Sequence, residues 1–320
     1  MEIPTYCRIC EPMCGLMASV EDGRLIAVRG DRDHVSSAGF LCRKAQAMVE
    51  VTYDPDRIRS PLRRVGGPGE FEPVSWDEAT ADIGRRLDAI QRQHGAAAFA
   101  TVIGNPPAAG YATALWYSGF IQALGVRYTY GINAEDASAR MAANALLYGS
   151  VALLPKPDLW HTDFALIIGA NPYVSGGSLI SEPRVRDALD AIEARGGRVV
   201  VVDPRRSETA RRYEHVGVRA GDDPWLLVGL LYVLVKENLV DREFVDDHTT
   251  GFDGLAELVE PHAPEVVADR CGVPASVIGE LARDFAAAPS ALVYGRTGTC
   301  RQRFGTLANA LQDMLMILTG

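Results

Sequence analysis

The placement of four cysteines near the start of this chain limits its folding more than any other feature. Cys7, Cys10 and Cys14 fall within eight residues, and Cys42 follows after a spacer of 27. Thiolates are soft ligands, and four converging on one site suit a four-iron cluster or zinc. Structural zinc sites usually pair two close ligands with a second close pair, whereas here three are clustered and the fourth stands alone, which favours the cluster. Four unrelated buried cysteines is the weaker reading, because four of the six cysteines lie in the first 42 residues. Disulfides are a third reading, but a 320-residue chain that is 48% hydrophobic can build its core without such staples.

That length suggests two or three domains. The net charge of −9 and pI near 5.2 give no electrostatic footprint for a phosphate backbone, so nucleic acid is excluded as a partner. Met1 stands six residues before Cys7, which leaves no room for an export signal, and no apolar run approaches the length of a membrane span. The expected location is cytoplasmic. No internal repeat or low-complexity segment is present.

Residues 16–30 form two β-prone runs joined by Glu21-Asp22-Gly23, a hairpin signal that would brace the cysteine loop. Arg43-Lys44 follows the fourth cysteine, and by spacing alone Lys44 reads as a solvated surface lysine. Residues 53–73 are rich in proline, glycine and arginine and predict an irregular connector at a domain boundary. Ser75 and Glu78 fit a capping box opening a helix with Ile83, Leu87 and Ile90 on its apolar positions. Residues 96–103 predict a buried strand closing at Gly104-Asn105-Pro106-Pro107, and helices are expected over about 112–124 and 139–148. This alternation argues for a parallel α/β sheet covered on both faces.

Residues 163–169 (DFALIIG) form the clearest buried strand, running into Ala170-Asn171-Pro172 and Ser175-Gly176-Gly177-Ser178. Ligands of open α/β sheets sit at the carboxyl ends of strands, where a cofactor diphosphate could meet backbone N–H groups. An ordinary strand-to-helix turn fits the same residues. A helix over 183–194 and a strand over 198–202 then deliver Asp203-Pro204-Arg205-Arg206, an acid placed to accept from ribose or a base edge. The glycines do not match GxGxxG, so a nicotinamide cofactor is unsupported. Residues 225–236 predict a buried helix. A strand over 291–294 delivers Gly295-Arg296-Thr297-Gly298-Thr299, glycines that would let a cofactor approach the backbone. Cys271 and Cys300 have no nearby partner in sequence and read as free thiols.

The cysteine quartet with Lys44, PVSWDEA, GANP, VVVDPRRSETA, AGDDPWLL and the final MLMILTG occur in this order. Together they resemble the molybdopterin oxidoreductase superfamily, which includes formate dehydrogenases, nitrate reductases and dimethyl sulfoxide reductase. The resemblance implies a small N-terminal [4Fe-4S] domain with β-hairpins over 1–60, then Rossmann-like α/β domains. Residues 61–110 would be a first segment of the central domain and 111–320 a guanine dinucleotide-binding domain. A C-terminal pterin-binding domain is expected to lie outside this chain. The implied cofactors are a [4Fe-4S] cluster on Cys7, Cys10, Cys14 and Cys42, and bis(molybdopterin guanine dinucleotide) with molybdenum or tungsten. Lys44 would lie between cluster and pterin as an electron relay. Gly169, Asn171, Pro172, Asp203, Arg205, Glu208 and Thr209 would line one guanine dinucleotide, with Gly221 and Asp223 matching the family's glycine and guanine-reading aspartate; Gly295 and Gly298 would also face cofactor.

The family's metal ligand position falls at Asp136, with Ser138 as a substitute; an ordinary helix N-terminal acid is the alternative for Asp136. Ala137 stands where formate dehydrogenases of the family place a histidine, which counts against formate oxidation. The implied activity is two-electron chemistry on a small substrate, a nitrate-like oxyanion or another oxo donor, with electrons passed singly to a ferredoxin-, flavoprotein- or iron–sulfur-type partner. Formate dehydrogenase-like activity is the alternative. A non-catalytic electron-transfer subunit like the large subunit of NADH dehydrogenase is the alternative of another class.

Overall fold

The computed structural model describes residues 1–105 and 110–320; the Pro106-Pro107 turn expected after the strand lies outside them. The chain divides into two compact units, Met1–Ile132 and Asn133–Gly320.

The first unit opens with an antiparallel sheet of β1 (Glu2–Tyr6), β2 (Gly15–Glu21) and β3 (Arg24–Gly30). Asp22 (φ 47°) and Gly23 (φ 74°) turn between β2 and β3, matching the left-handed pair that a two-residue hairpin needs. The connector expected to be irregular instead forms a short hairpin, β4 (Leu62–Arg64) with β5 (Phe71–Pro73), pinned by Arg63 on Glu72 at 2.7 Å. Its three-residue strands are too short and too charged to show a period. The Ser75 capping box is present in full at the start of helix Trp76–His94. Residues 96–103 differ from expectation: a single 3-10 turn, Ala96–Ala98, precedes β6 (Ala100–Ile103), and Val102 is exposed. Among the described residues β6 pairs only with β7 (Tyr128–Gly131), in parallel, and no residue of either strand is buried.

The second unit is built on a fully parallel sheet in the order β10-β9-β8-β11, comprising β8 (Phe164–Ile168), β9 (Arg198–Val202), β10 (Glu214–Val216) and β11 (Ala291–Gly295). Side chains alternate between faces with period two. Phe164, Leu166, Ile168, Val200 and Val202 enter one core with helices Asp223–Lys236, Ala275–Ala287 and Gly305–Thr319. Ala165, Ile167, Val199 and Val201 enter another with helix Val185–Ala194. Burial on both faces is why β8 and β9 read as unbroken apolar runs. Helix Asp223–Lys236 is buried nearly all round, as its sequence predicts.

Candidate cofactor sites

The four cysteines gather in the first unit. Cys7 and Cys14 are buried with Leu16 and Ala45 in a miniature core, against which Cys42 packs. The Cys7 amide donates to the Cys14 carbonyl at 2.8 Å, closing the loop that carries Cys10. Burial first, and then the neighbouring Cys10, Cys7 and Cys42, push the Cys14 thiol up to about 11. Burial also raises Cys10, while the ammonium of Lys44 opposes the shift. Cys14 therefore lies within electrostatic reach of the other three sulfurs, and Cys10 within reach of Cys7, Cys42 and the exposed Lys44. Four thiols gathered in one small core are the soft donor set that an iron–sulfur cluster takes. The residues fit a cluster.

In the second unit a cleft of about 400 Å³ is lined by Asp136, Gly169, Asn171, Ser178, Arg296 and Thr297, among others. It sits where β8 and β11 end side by side. Asp136 closes the one-turn helix Asn133–Asp136 and binds both residues after β11. Arg296 Nη2 donates to Oδ1 and Oδ2 at 3.0 Å each, and Thr297 Oγ1 donates to Oδ1 at 2.8 Å. Arg296 Nη2 also donates to Ser178 Oγ at 2.9 Å. Arg296 and Thr297 had no assigned role in the sequence; an arginine inside a glycine-rich strand end was their only signal.

Beside the cleft, the expected nucleotide residues form one network across the ends of β8 and β9. Asn171 Nδ2 donates to Glu208 Oε2 at 2.6 Å, while its Oδ1 accepts from the Thr209 amide at 3.2 Å and hydroxyl at 2.8 Å. Glu208 also accepts from Arg205 Nη2 at 3.1 Å, and Asn171 with Arg205 holds its carboxyl at about 2. Asp203 Oδ1 accepts from the Arg205 amide at 2.9 Å, an Asx turn. The short helix Pro172–Ser175 spends its N–H groups internally: Tyr173 N on Thr209 Oγ1, and Val174 N and Ser175 N on the Asn171 carbonyl. Side chains, not those amides, are free to meet a nucleotide here. Asp223 is 4% exposed and accepts from Gln302 Nε2 at 3.0 Å. Burial raises its pKa, and the nearby Asp203 and Asp222 raise it further. Gly221 takes a left-handed φ of 85° just before that acid.

At two glycines expected to face cofactor, protein fills the direction a Cβ would take. A Cβ on Gly295 would lie 1.9 Å from Gln312 Oε1, and a Cβ on Gly298 would lie 2.6 Å from Gly169 Cα. Gly169 itself is left-handed (φ 56°), and its carbonyl accepts from Gly298 N at 3.0 Å. These contacts lock the ends of β8 and β11 together. Cys300 and Cys271 are free thiols, and Cys300 Sγ accepts from the Asn309 side-chain amide at 3.6 Å.

A unit carrying four gathered cysteines precedes a parallel α/β unit with a cleft at its strand ends, the layout of a two-part redox protein fold. The chain belongs to the molybdopterin oxidoreductase family: residues 57–320 match Molybdopterin oxidoreductase, and residues 1–54 match the Molybdopterin oxidoreductase Fe4S4 domain. The cofactors that go with these domains are a [4Fe-4S] cluster and molybdopterin with molybdenum or tungsten. Formate dehydrogenase H of Escherichia coli is 29% identical over 100% of this chain and 42% of its own length. The thiosulfate reductase molybdopterin-containing subunit PhsA of Salmonella typhimurium is 28% identical over 91% of the chain and 37% of its own length. The solved acetylene hydratase from Pelobacter acetylenicus shares the fold, with a TM-score of 0.85, 24% identity and coverage of 99% of this chain and 43% of its own. The chain thus spans less than half the length of the curated relatives it matches. Among the described residues no helix is long and apolar enough to cross a membrane.

Proposed function

We propose that this chain forms the cluster-bearing and first nucleotide-binding part of a molybdenum or tungsten enzyme with bis(molybdopterin guanine dinucleotide). In this reading the enzyme performs two-electron chemistry on a small substrate, a nitrate-like oxyanion or another oxo donor. The observation that carries the proposal is the convergence of Asp136, the Gly169–Asn171 turn and Arg296-Thr297 in one cleft at the strand ends. When bound, the metal would supply Lewis acidity and the redox change. Asp136 would ligate it. Asn171, Arg205, Glu208 and Thr209 would line the dinucleotide, and Asp203 and Asp223 would accept hydrogen bonds from guanine and ribose. Cys7, Cys10, Cys14 and Cys42 would hold the cluster, with Lys44 favouring the extra negative charge of its reduced state. A separate redox protein would exchange single electrons with that cluster.

The names of the relatives span formate, thiosulfate and acetylene, so none transfers its substrate to this chain. Ala137 in place of the histidine expected of formate dehydrogenases weighs towards oxo donors over formate. The test is elemental and nucleotide analysis of the full-length protein purified without oxygen. Iron, acid-labile sulfide, molybdenum or tungsten, and guanine nucleotide released on denaturation are the expected content. Iron and sulfide with neither metal nor guanine would overturn the enzyme reading in favour of an electron-transfer subunit, and stoichiometric zinc without iron would overturn the cluster.

A further inference from the structure

The Asp136 carboxylate is held more firmly than an acid at the end of a one-turn helix requires. A carboxylate offers about four lone-pair sites, two on each oxygen. Oδ1 uses both of its sites, for Arg296 Nη2 and Thr297 Oγ1, whereas Oδ2 accepts only from Arg296 Nη2 and keeps one free. The Asp136 side chain is 33% exposed, so it remains open to the cleft, while that of Arg296 is 7% exposed. A guanidinium stays charged at any accessible pH, and Ser178 Oγ fixes this one from a further side. Arg296 Nη1 is buried with no hydrogen-bond partner among the described residues. Such an orphan costs about 1–3 kcal/mol, so packing alone does not account for an arginine here.

We propose that Arg296 and Thr297 are positioning residues that hold Asp136 as a one-oxygen donor, with Oδ1 reserved for the protein and Oδ2 for the metal. This rests on the reading of Asp136 as the metal's protein ligand. An unrestrained carboxylate can bind a metal through one oxygen or both. Here, binding through Oδ1 would require breaking the Thr297 bond and weakening a charge-assisted bond to Arg296. Partners of this kind orient a ligating carboxylate and tune its strength as a donor. Because the guanidinium donates to both oxygens, it also makes Oδ2 a weaker donor than a free aspartate would be, while the Thr297 hydroxyl alone distinguishes Oδ1.

The test uses the full-length protein loaded with cluster and metal, and compares Asp136→Ala, Arg296→Gln, Arg296→Lys and Thr297→Val. The readouts are the metal's paramagnetic resonance signal, normalised to metal content, and the oxygen ligands seen by X-ray absorption at the metal edge. Asp136→Ala should shift the signal and remove one oxygen ligand. Arg296→Gln and Thr297→Val should keep the ligand but split the signal into more than one species, with Arg296→Lys restoring part of the single wild-type signal. Thr297→Val removes one hydroxyl only, so it carries the test if Arg296→Gln fails to fold. A wild-type signal in both Thr297→Val and Arg296→Gln, alongside a changed signal in Asp136→Ala, would overturn the clamp and leave the ligand reading standing. An unchanged signal in Asp136→Ala would overturn the ligand reading, and the clamp with it.

Discussion

The two halves of the buried Arg140–Asp313 pair should fail differently when each is removed. The pair joins helix Ser138–Tyr148, which starts two residues after Asp136, to helix Gly305–Thr319. Arg140 Nη1 and Nη2 donate to Asp313 Oδ1 and Oδ2 at 2.7 Å each, and the side chains are 12% and 1% exposed. Tyr148 donates a further hydrogen bond to the same carboxylate. Asp313→Asn leaves a buried guanidinium that cannot shed its proton. Breaking a buried pair this way costs about 3–5 kcal/mol, on the order of 10 °C in Tm for a unit of this size.

Arg140→Met instead leaves a carboxylate that can take up a proton. Burial already raises the Asp313 pKa above its ordinary 3.8, against the opposing effect of Arg140, and removing Arg140 raises it further. Below pH 3.8 both folded and unfolded forms hold that proton, so the group costs the folded state little. As pH rises from there through the folded pKa, the folded state keeps a proton the unfolded state has lost, and stability falls by at most about 1.4 kcal/mol per pH unit. Arg140→Met should therefore lose less stability at pH 5 than at pH 8, whereas the loss in Asp313→Asn should be nearly flat. The double variant Arg140→Met/Asp313→Leu should be more stable than Asp313→Asn, because no charge is left stranded. Urea denaturation at the two pH values measures all of this. An Asp313→Asn loss under about 1 kcal/mol, or a pH-independent Arg140→Met loss, would refute the reasoning.

Gly298→Ala should cost about 1–3 kcal/mol, because its Cβ would lie 2.6 Å from Gly169 Cα and 2.7 Å from Gly169 O, backbone atoms that cannot swing aside. Guanine nucleotide retained by the full-length protein should fall as well, and wild-type values for both stability and retention would remove the glycine contact from the site. Lys44→Ala should lower the cluster's reduction potential at low salt, because a nearby positive charge compensates the electron added on reduction. Lys44 is exposed, so the difference from wild type should shrink as salt is raised; superimposable titrations at low salt would remove Lys44 from the electron path.

What could be read in the sequence was what local chemistry or two-sided burial encodes. The runs FALII and VVVV were legible because residues 164–168 and 199–202 are buried on both faces and contain no polar residue to break the pattern, Arg198 standing only at the start of β9. The Ser75 capping box and the Asp22-Gly23 turn were legible because each is satisfied within a few residues. Residues 96–103 misled because an apolar run resembles a buried strand even where the sheet has only two strands. Among site residues, cysteine spacing carries its own ligand chemistry. The Arg296–Asp136 pair spans 160 positions, and neither residue signals the other. Gly295 and Gly298 correctly marked a close approach, but a glycine does not say what approaches; here it is Gln312 and Gly169.

The sheet explains why residues so far apart in sequence converge. β8 and β11 are adjacent and parallel with Ile168 opposite Gly295, so the chain leaves both strands at the same level. Residues 169–171 and 296–298 must then emerge together, and the short helix carrying Asp136 needs only to reach that level to meet both. β9 lies on the other side of β8, with Val202 opposite Ile168, so Asp203 and the Arg205–Thr209 turn emerge there and can hold Asn171 from that flank. The basic group on Asp136 and the acidic network on Asn171 thus occupy opposite flanks of one turn. In the proposed reading, the cation beside Asp136 would orient a ligating carboxylate, and hydrogen-bond donors on a base or ribose would gain from the acids beside them. On that reading, one register of a parallel sheet would therefore sort the two chemistries to the two ends of a single extended cofactor.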